Sequence, residues 1–434
     1  MLEKSDIALE FLTFPTGKDS IMYAVMALKQ DMKVPEMIPL FEEKELKQIV
    51  SNNVYSTTEL YRLVWEPLEE KLDGVNTIYF APSGELYNLA IETLPDTDST
   101  WVSDRFNFYR LSSTRQLALV REDYNTNGVR IYGGLKYDTD ISQLVVDNQK
   151  YHIYKEESTR SFEDDHIADS LQLRSGAQDL PATKIEAENI KHSLDCANVE
   201  NELYSGVIGT EASFKAMSGK KLRALHIATH GFYWTEKQAG QMKQLDFLVL
   251  NVNNQSNYVE DKALTRSGLL MSGANNALMG IEIPEGIDNG VLTAKEIAEL
   301  DLRGMDMVVL SACQTGLGEI TGEGVFGLQR GFKKAGAKSL LMSLWKVDDN
   351  ATQMLMTQFY VNLIAGMNKY EALREAQRYV REYEIEVKES LTPSQKRKEE
   401  KAGRIAEASQ RFRKICPYKH PKDWAAFILL DGID

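Results

Sequence analysis

A chain of 434 residues exceeds what one hydrophobic core ordinarily holds, so two or more domains are expected. Its 43% hydrophobic and 26% charged residues are those of a soluble globular fold, and a formal charge of −14 speaks against direct nucleic-acid binding. The three cysteines, Cys196, Cys313 and Cys416, are far apart and lack CxxC spacing, which excludes a disulfide framework and a cysteine zinc site and suits a reducing cytoplasm.

No basic-then-apolar leader precedes Ile7, and no apolar run is long enough to span a bilayer. The chain opens almost directly into a strand, as a piece of a longer protein would. Ile7–Phe14 and Ser20–Lys29 read as strands of a hairpin turned by Pro15-Thr16-Gly17-Lys18-Asp19. Helices are expected over about Glu42–Ser51 and Thr58–Leu72, then a buried strand at Thr77–Ala81 closed by Pro82-Ser83-Gly84. Leu86–Leu94 and Phe106–Leu111 continue the core, Ser112-Ser113-Thr114 caps a helix near Arg115, and Val129–Leu135 is a strand. From Lys136 to Pro181 acidic and small polar residues dominate. A loop of that length is functional or disordered, and the domain boundary is placed within it, giving units 1–178 and 179–434.

After Pro181 come a helix to about Cys196, a strand near Leu203, a short helix at Thr210–Met217 and the apolar strand Ala224–Gly231. Asp246–Asn251 reads as a strand, and the loop Thr265–Gly268 leads to Leu269-Leu270-Met271. The helix Thr293–Leu300 leads into the strand Met307–Ser311 and Cys313. Helix Gly324–Ala335, strand Lys338–Val347 and helices Asn350–Ala365 and Lys369–Tyr383 follow. Ser394–Lys414 is charged and rich in helix formers, as a solvated helix or mobile insert would be, with basic sites open to self-cleavage. Trp424–Leu430 is a final strand.

Two of these strands carry chemistry. Both are apolar throughout, as parallel strands buried on two faces are, and one ends in His230 and the other in Cys313. In open α/β sheets, reacting groups collect at the carboxyl ends of strands. A thiol becomes a nucleophile when deprotonated, and a neighbouring imidazole lowers its pKa and then serves as general acid. Gly231 allows a substrate carbonyl close to the main chain, so the Gly231 and Cys313 amides form the expected oxyanion hole. A buried core cysteine and a hydrogen-bonded interior histidine are the competing readings of each residue alone.

The remaining motifs are weaker. His226, four before His230, has no third ligand nearby and reads as a core or supporting histidine rather than a metal site. His152, His166, His192 and His420 read as surface or loop residues. Gly322-Glu323-Gly324-Val325-Phe326-Gly327 matches GxGxxG, but its first glycine comes nine positions after Cys313 rather than directly after the strand. Close loop packing is the better reading, with Glu323 in reach of substrate, and no cofactor or metal is expected.

Thr229-His230-Gly231 and Ser311-Ala312-Cys313 resemble the His-Gly and Ala-Cys motifs of clan CD cysteine peptidases, a group that includes caspases, gingipains, legumain and separase. The chain is more closely similar to CHAT-domain peptidases, caspase-like domains commonly joined to tetratricopeptide repeats. Ser267–Ala274, Leu292–Ile297, Gly322–Leu328, Ser343–Asp349 and Trp424–Phe427 share that likeness, as does the Ala81-Pro82-Ser83-Gly84 turn. The resemblance implies a caspase-like three-layer sandwich around a mostly parallel sheet, preceded by a degenerate caspase-like subdomain without catalytic residues. It implies His230 as catalytic histidine and Cys313 as nucleophile.

Separase has a Leu-Trp-x-Val-x-Asp stretch similar to Leu344–Asp349, carrying the carboxylate that holds a basic P1 side chain. Asp349, with Asp348 and Trp345 beside it, is therefore expected to form a pocket for arginine, or lysine second. N-capping of the next helix is the competing role for either aspartate. The expected partners are a protein substrate and a tetratricopeptide-repeat or sensor regulator. A catalytically silent caspase-like scaffold is the alternative, and a nucleotide-binding oxidoreductase rests on the glycine pattern alone.

Overall fold

The computed structural model describes residues 2–17, 20–50, 54–97, 100–119, 126–151, 176–233, 264–311, 319–321, 324–388 and 412–433. Its strands in chain order are β1 (Asp6–Pro15), β2 (Ile21–Lys29), β3 (Glu36–Glu42), β4 (Thr77–Ala81), β5 (Asn107–Arg110) and β6 (Val129–Leu135). They continue with β7 (Asn201–Gly206), β8 (Ala224–Ile227), β9 (Gly231–Tyr233), β10 (Ser267–Leu270), β11 (Val291–Thr293) and β12 (Met307–Leu310). The last are β13 (Glu319–Thr321), β14 (Gly324–Phe326), β15 (Ser339–Ser343), β16 (Ile385–Lys388), β17 (Phe412–Ile415) and β18 (Phe427–Leu430).

Eleven strands form one sheet in the order β3-β2-β1-β4-β5-β18-β15-β12-β8-β6-β7. The pairings β15-β12-β8-β6-β7 are all parallel, and β18 runs antiparallel to β15. On its other side β18 lies parallel to β5, which continues the parallel run β1-β4-β5. The mostly parallel α/β sheet is therefore as expected, and two blocks of opposite direction meet at β18.

Alternate residues of the central strands feed opposite cores. Leu225, Ile227, Val308, Leu310, Leu340 and Met342 pack with Phe214, Ile297 and Phe332 on one face. Ala224, Met307, Val309 and Leu341 pack with Ile190, Leu355, Phe359 and Ala376 on the other. A period of two with both faces covered explains why these strands read as unbroken apolar runs. The helices Pro181–Cys196, Asp349–Ile364 and Lys369–Glu382 make the second outer layer. A separate core around Trp65 fills the first half, including Phe11, Phe80 and Phe108.

Several local expectations change. Thr58–Leu72 is broken at Pro67 into Glu59–Val64, a 3-10 turn and Glu69–Leu72, because proline removes a helical donor and crowds the preceding turn. The helix near Arg115 is a 3-10 turn, Thr114–Ala118, in which the Ser113 hydroxyl accepts from Arg115 N–H. The stretch expected as a loop from Lys136 contains the helix Ile141–Tyr151. Phe412–Ile415, whose first three residues fall in the expected charged helix, is a strand paired with β16. The remainder of that insert, residues 394–411, and the expected strand Asp246–Asn251 lie outside the described residues.

β6 and the Ile141–Tyr151 helix precede the expected division at 178/179. Yet β6 hydrogen-bonds to β7 on one side and β8 on the other, and Tyr151 packs on the core of the second half. No described helix is long and apolar enough to cross a membrane.

A buried charge cluster fastens the face beneath β8 and β12. Lys215 Nζ meets Glu211 Oε1 at 2.5 Å and Asp288 Oδ1 and Glu296 Oε1 at 2.8 Å each. Burial pushes the Glu211 carboxyl well up. Burial alone would lower Lys215, but the Glu211, Glu296 and Asp288 carboxylates outweigh it and hold the ammonium well above its ordinary value.

Candidate active site

β8 and β12 are hydrogen-bonded neighbours in register, with Val309 opposite His226 and Leu310 opposite Ile227. The pairing runs on one step past the strands, where Ser311 N–H donates to the Ile227 carbonyl at 2.9 Å. Adjacent strands lie about 4.8 Å apart. The two chains thus leave the sheet side by side at their carboxyl ends, one toward His230 and the other toward Cys313. Cys313 itself, and Glu323, lie outside the described residues.

His230 is half-buried and held on three sides. Its ring Nε2 is 2.9 Å from the Gln178 carbonyl oxygen. A carbonyl only accepts, so Nε2 carries the proton and a neutral ring leaves Nδ1 as an acceptor. The Tyr137 ring packs against the imidazole, tilted by 45°, at a centroid distance of 5.2 Å. The His230 N–H donates to the Tyr137 hydroxyl at 3.4 Å. Thr229 Oγ1 donates to the Leu270 carbonyl at 2.5 Å, so at 2.8 Å it accepts the Tyr137 proton. Leu270 N–H returns a bond to the His230 carbonyl at 2.9 Å. Burial raises the Tyr137 hydroxyl above its ordinary pKa, so it remains a neutral donor.

Sequence reasoning singled out neither Tyr137 nor Gln178. Tyr137 follows β6 closely, and a tyrosine just past a buried strand is the one available signal. The Gln178 contribution is a main-chain oxygen, which every residue has, so no side-chain pattern marks it.

Gly231 opens β9 and is opposite Leu269 of β10. Because the flanking bond joins Leu270 N–H to the His230 carbonyl, this is a pair without mutual hydrogen bonds, and the Gly231 N–H points away from β10. Gly268, opposite Phe232 in the same ladder, has no room for a side chain: a Cβ there would lie 2.4 Å from the Leu292 carbonyl oxygen.

β15 is parallel to β12, so Trp345, Asp348 and Asp349 follow at the same sheet edge as His230. Trp345 lies against Tyr55 with centroids 4.9 Å apart, and its indole N–H donates to the Lys422 carbonyl at 2.9 Å. It joins the first half of the chain to the last. Asp348 N-caps the Asp349–Ile364 helix, accepting from Asn350 N–H at 3.0 Å and Ala351 N–H at 3.1 Å. Asp349 is exposed on the first turn of that helix.

His226 is fully buried, and its Nε2 bonds Glu186 Oε1 at 2.9 Å beneath the Tyr360 ring. It is an interior histidine, as expected. His192 is 3.7 Å from the exposed Cys196 sulfur, and His420 bonds Ser56 at 2.8 Å; His152 and His166 lie outside the described residues. Gly324–Phe326 of the glycine-rich run is a strand, β14, antiparallel to β13; Gly322 and Glu323 lie outside the described residues. Among the described residues, no three His, Cys, Asp or Glu side chains gather as a metal-ligand set.

The chain is similar to tetratricopeptide repeat protein 28 of Homo sapiens, 25% identical over 258 residues that make 58% of this chain and 8% of that protein. The Mus musculus protein of the same name is 27% identical over 258 residues, with the same coverage. The chain therefore matches only a small part of these relatives' length. The CHAT-domain family profile matches residues 55–432, which hold eight of the sheet's eleven strands and every strand that brings a residue to this edge. On that match the chain belongs to the caspase-like CHAT-domain family.

Proposed function

We propose that the protein is a cysteine endopeptidase in which His230 activates Cys313. The observation that carries this is the bond from Ser311 N–H to the Ile227 carbonyl, which makes the chains leading to the two residues neighbours at one sheet edge. The Nε2–H tautomer set by Gln178 leaves Nδ1 to accept the thiol proton. The thiolate adds to the substrate carbonyl carbon, and the Gly231 and Cys313 amides donate to the oxyanion. His230 returns its proton to the leaving amine as the C–N bond breaks. Water, deprotonated by the same imidazole, then hydrolyses the thioester and restores the thiol.

The substrate is a protein cut after a basic residue, arginine before lysine. The support is the position of Asp349, exposed at the same edge, while Asp348 is occupied as a helix cap. Trp345 walls that pocket, and Glu323 contacts substrate. The unit that carries this chemistry begins at β6, because β6 pairs with β8. The match to tetratricopeptide repeat proteins supports a repeat-containing neighbour or partner as regulator.

Fluorogenic peptides varied at P1 test this reading, with wild type beside Cys313→Ala and His230→Gln. Turnover after Arg by wild type, lost in both variants, is the expected result. Wild type without turnover on any peptide leaves the silent scaffold, and preference for Asp or Leu at P1 removes the role of Asp349.

A further inference from the structure

We propose that Asn275 is a positioning residue for His230, acting through the backbone of Ala177 and Gln178. This rests on the reading of His230 as acid and base. Asn275 is 4% exposed, in the Ala274–Leu278 helix. Its amide is fully engaged: Oδ1 accepts from Ala177 N–H at 2.6 Å, and Nδ2 donates to the Ala177 carbonyl at 3.0 Å and to Asp138 Oδ1 at 2.8 Å. The partners fix which way the amide faces. Turned over, it would set oxygen against two oxygens and its NH2 against an N–H.

One side chain thus grips both polar groups of Ala177, as a neighbouring strand would. The next residue, Gln178, supplies the carbonyl that takes the His230 proton. Beyond it, Asp179 is paired with Lys136, so the Gln178 peptide is anchored on both flanks. Before it, Gly176 has φ +66°, and a Cβ there would lie 2.9 Å from the Asn275 side-chain carbon. A glycine is what leaves the amide its place. The Asn275 main chain reaches the other restraint on the imidazole as well, because its N–H donates to the Tyr137 carbonyl at 3.1 Å. Both the proton acceptor at Nε2 and the ring packed against His230 are therefore tied to Asn275.

Without this grip the Gln178 oxygen is no longer held at Nε2. The neutral ring then also populates the tautomer with hydrogen on Nδ1, which presents a donor to the thiol where an acceptor is needed. The substrate pocket is untouched, so the loss falls on kcat rather than KM.

The test uses the full chain labelled with 15N-histidine, with His230 assigned by its disappearance in His230→Gln. In wild type the His230 ring nitrogens report the Nε2–H tautomer. In Asn275→Ala they shift toward a mixture, and kcat on an Arg peptide falls roughly 10- to 100-fold at unchanged KM. Gly176→Ala, which displaces the amide without deleting a hydrogen-bonding group, gives the same shift and decides the matter should Asn275→Ala fail to fold. An unchanged His230 tautomer in a folded Asn275→Ala or Gly176→Ala variant overturns the proposal. The resonances require no turnover, so they decide the role of Asn275 even if wild type cleaves nothing and the peptidase reading falls.

Discussion

The Tyr137 hydroxyl accepts the His230 N–H at 3.4 Å while its ring packs against the imidazole at 5.2 Å. Tyr137→Phe keeps the ring and deletes the acceptor. It leaves the His230 N–H and Thr229 Oγ1 short of a partner, a loss of about 1–2 kcal/mol of unfolding free energy. Because burial keeps the wild-type hydroxyl neutral, the variant's pH–rate profile keeps its wild-type shape on the alkaline side. Urea unfolding and kcat/KM against pH measure the two effects.

The two adjacent aspartates separate by what each loses. Asp348→Ala removes a cap that accepts two N–H groups, and costs about 1 kcal/mol of stability. Asp349→Ala leaves stability within about 0.5 kcal/mol. It lowers kcat/KM for Arg at P1 by roughly 10- to 100-fold, the worth of one charge-assisted contact. A thermal midpoint and a P1 peptide pair for each variant show the split.

Lys215→Met strands three carboxylates with no ammonium among them, and destabilises by about 3–5 kcal/mol at neutral pH. The sign with pH follows from the shifts. Lys215 is raised in the folded chain, so its contribution is complete below about 10.4 and fades as pH rises through the raised value. Glu211 is also raised, so it favours folding below about 4.3 and loses that as pH rises. Burial would raise Glu296, but Lys215 holds it below its ordinary value, so wild type loses that contribution as pH falls, while the variant's unpaired carboxylates are relieved by protonation. The variant's deficit therefore shrinks on acidification from pH 7 toward 4, as measured by urea midpoints across that range.

Glu186→Leu leaves the buried His226 Nε2–H without its acceptor and costs about 1–3 kcal/mol. Adding His226→Leu removes the orphaned group and recovers part of the loss. A double-mutant cycle by urea unfolding reads the coupling.

What the sequence disclosed follows from how each element is buried. β8 and β12 are covered on both faces, so their apolar runs, and the residues they deliver, stand out without any neighbour in view. β3 does not: it is an edge strand with Pro39 and glutamates at both ends, and proline is tolerated there because one side of the strand is unpaired. The Ile141–Tyr151 helix escapes notice because two of its three buried residues are Asp147 and Asn148. At the site, His230 and its glycine were legible as residue types. Its supports were not, since Gln178 acts through main chain and Asn275 through contacts with Ala177 and Asp138, positions remote from it in sequence. Asp348 was legible both as cap and as pocket residue, and the structure shows the cap.

β18, latest of the strands in the sequence, lies between β5 and β15. Its successor Asp431 is fully buried, with its N–H on the Arg110 carbonyl and its carboxylate binding Ser112 on one side and Lys333 on the other. During synthesis, each half of the sheet can form while still attached to the ribosome, but they remain two sheets with a raw border each. Only when this last ribbon emerges are the borders sealed. Ribosome stalling or truncation just upstream of Phe427 therefore releases a product with two sticky margins, which is a target for chaperones and prone to pair with its own copies.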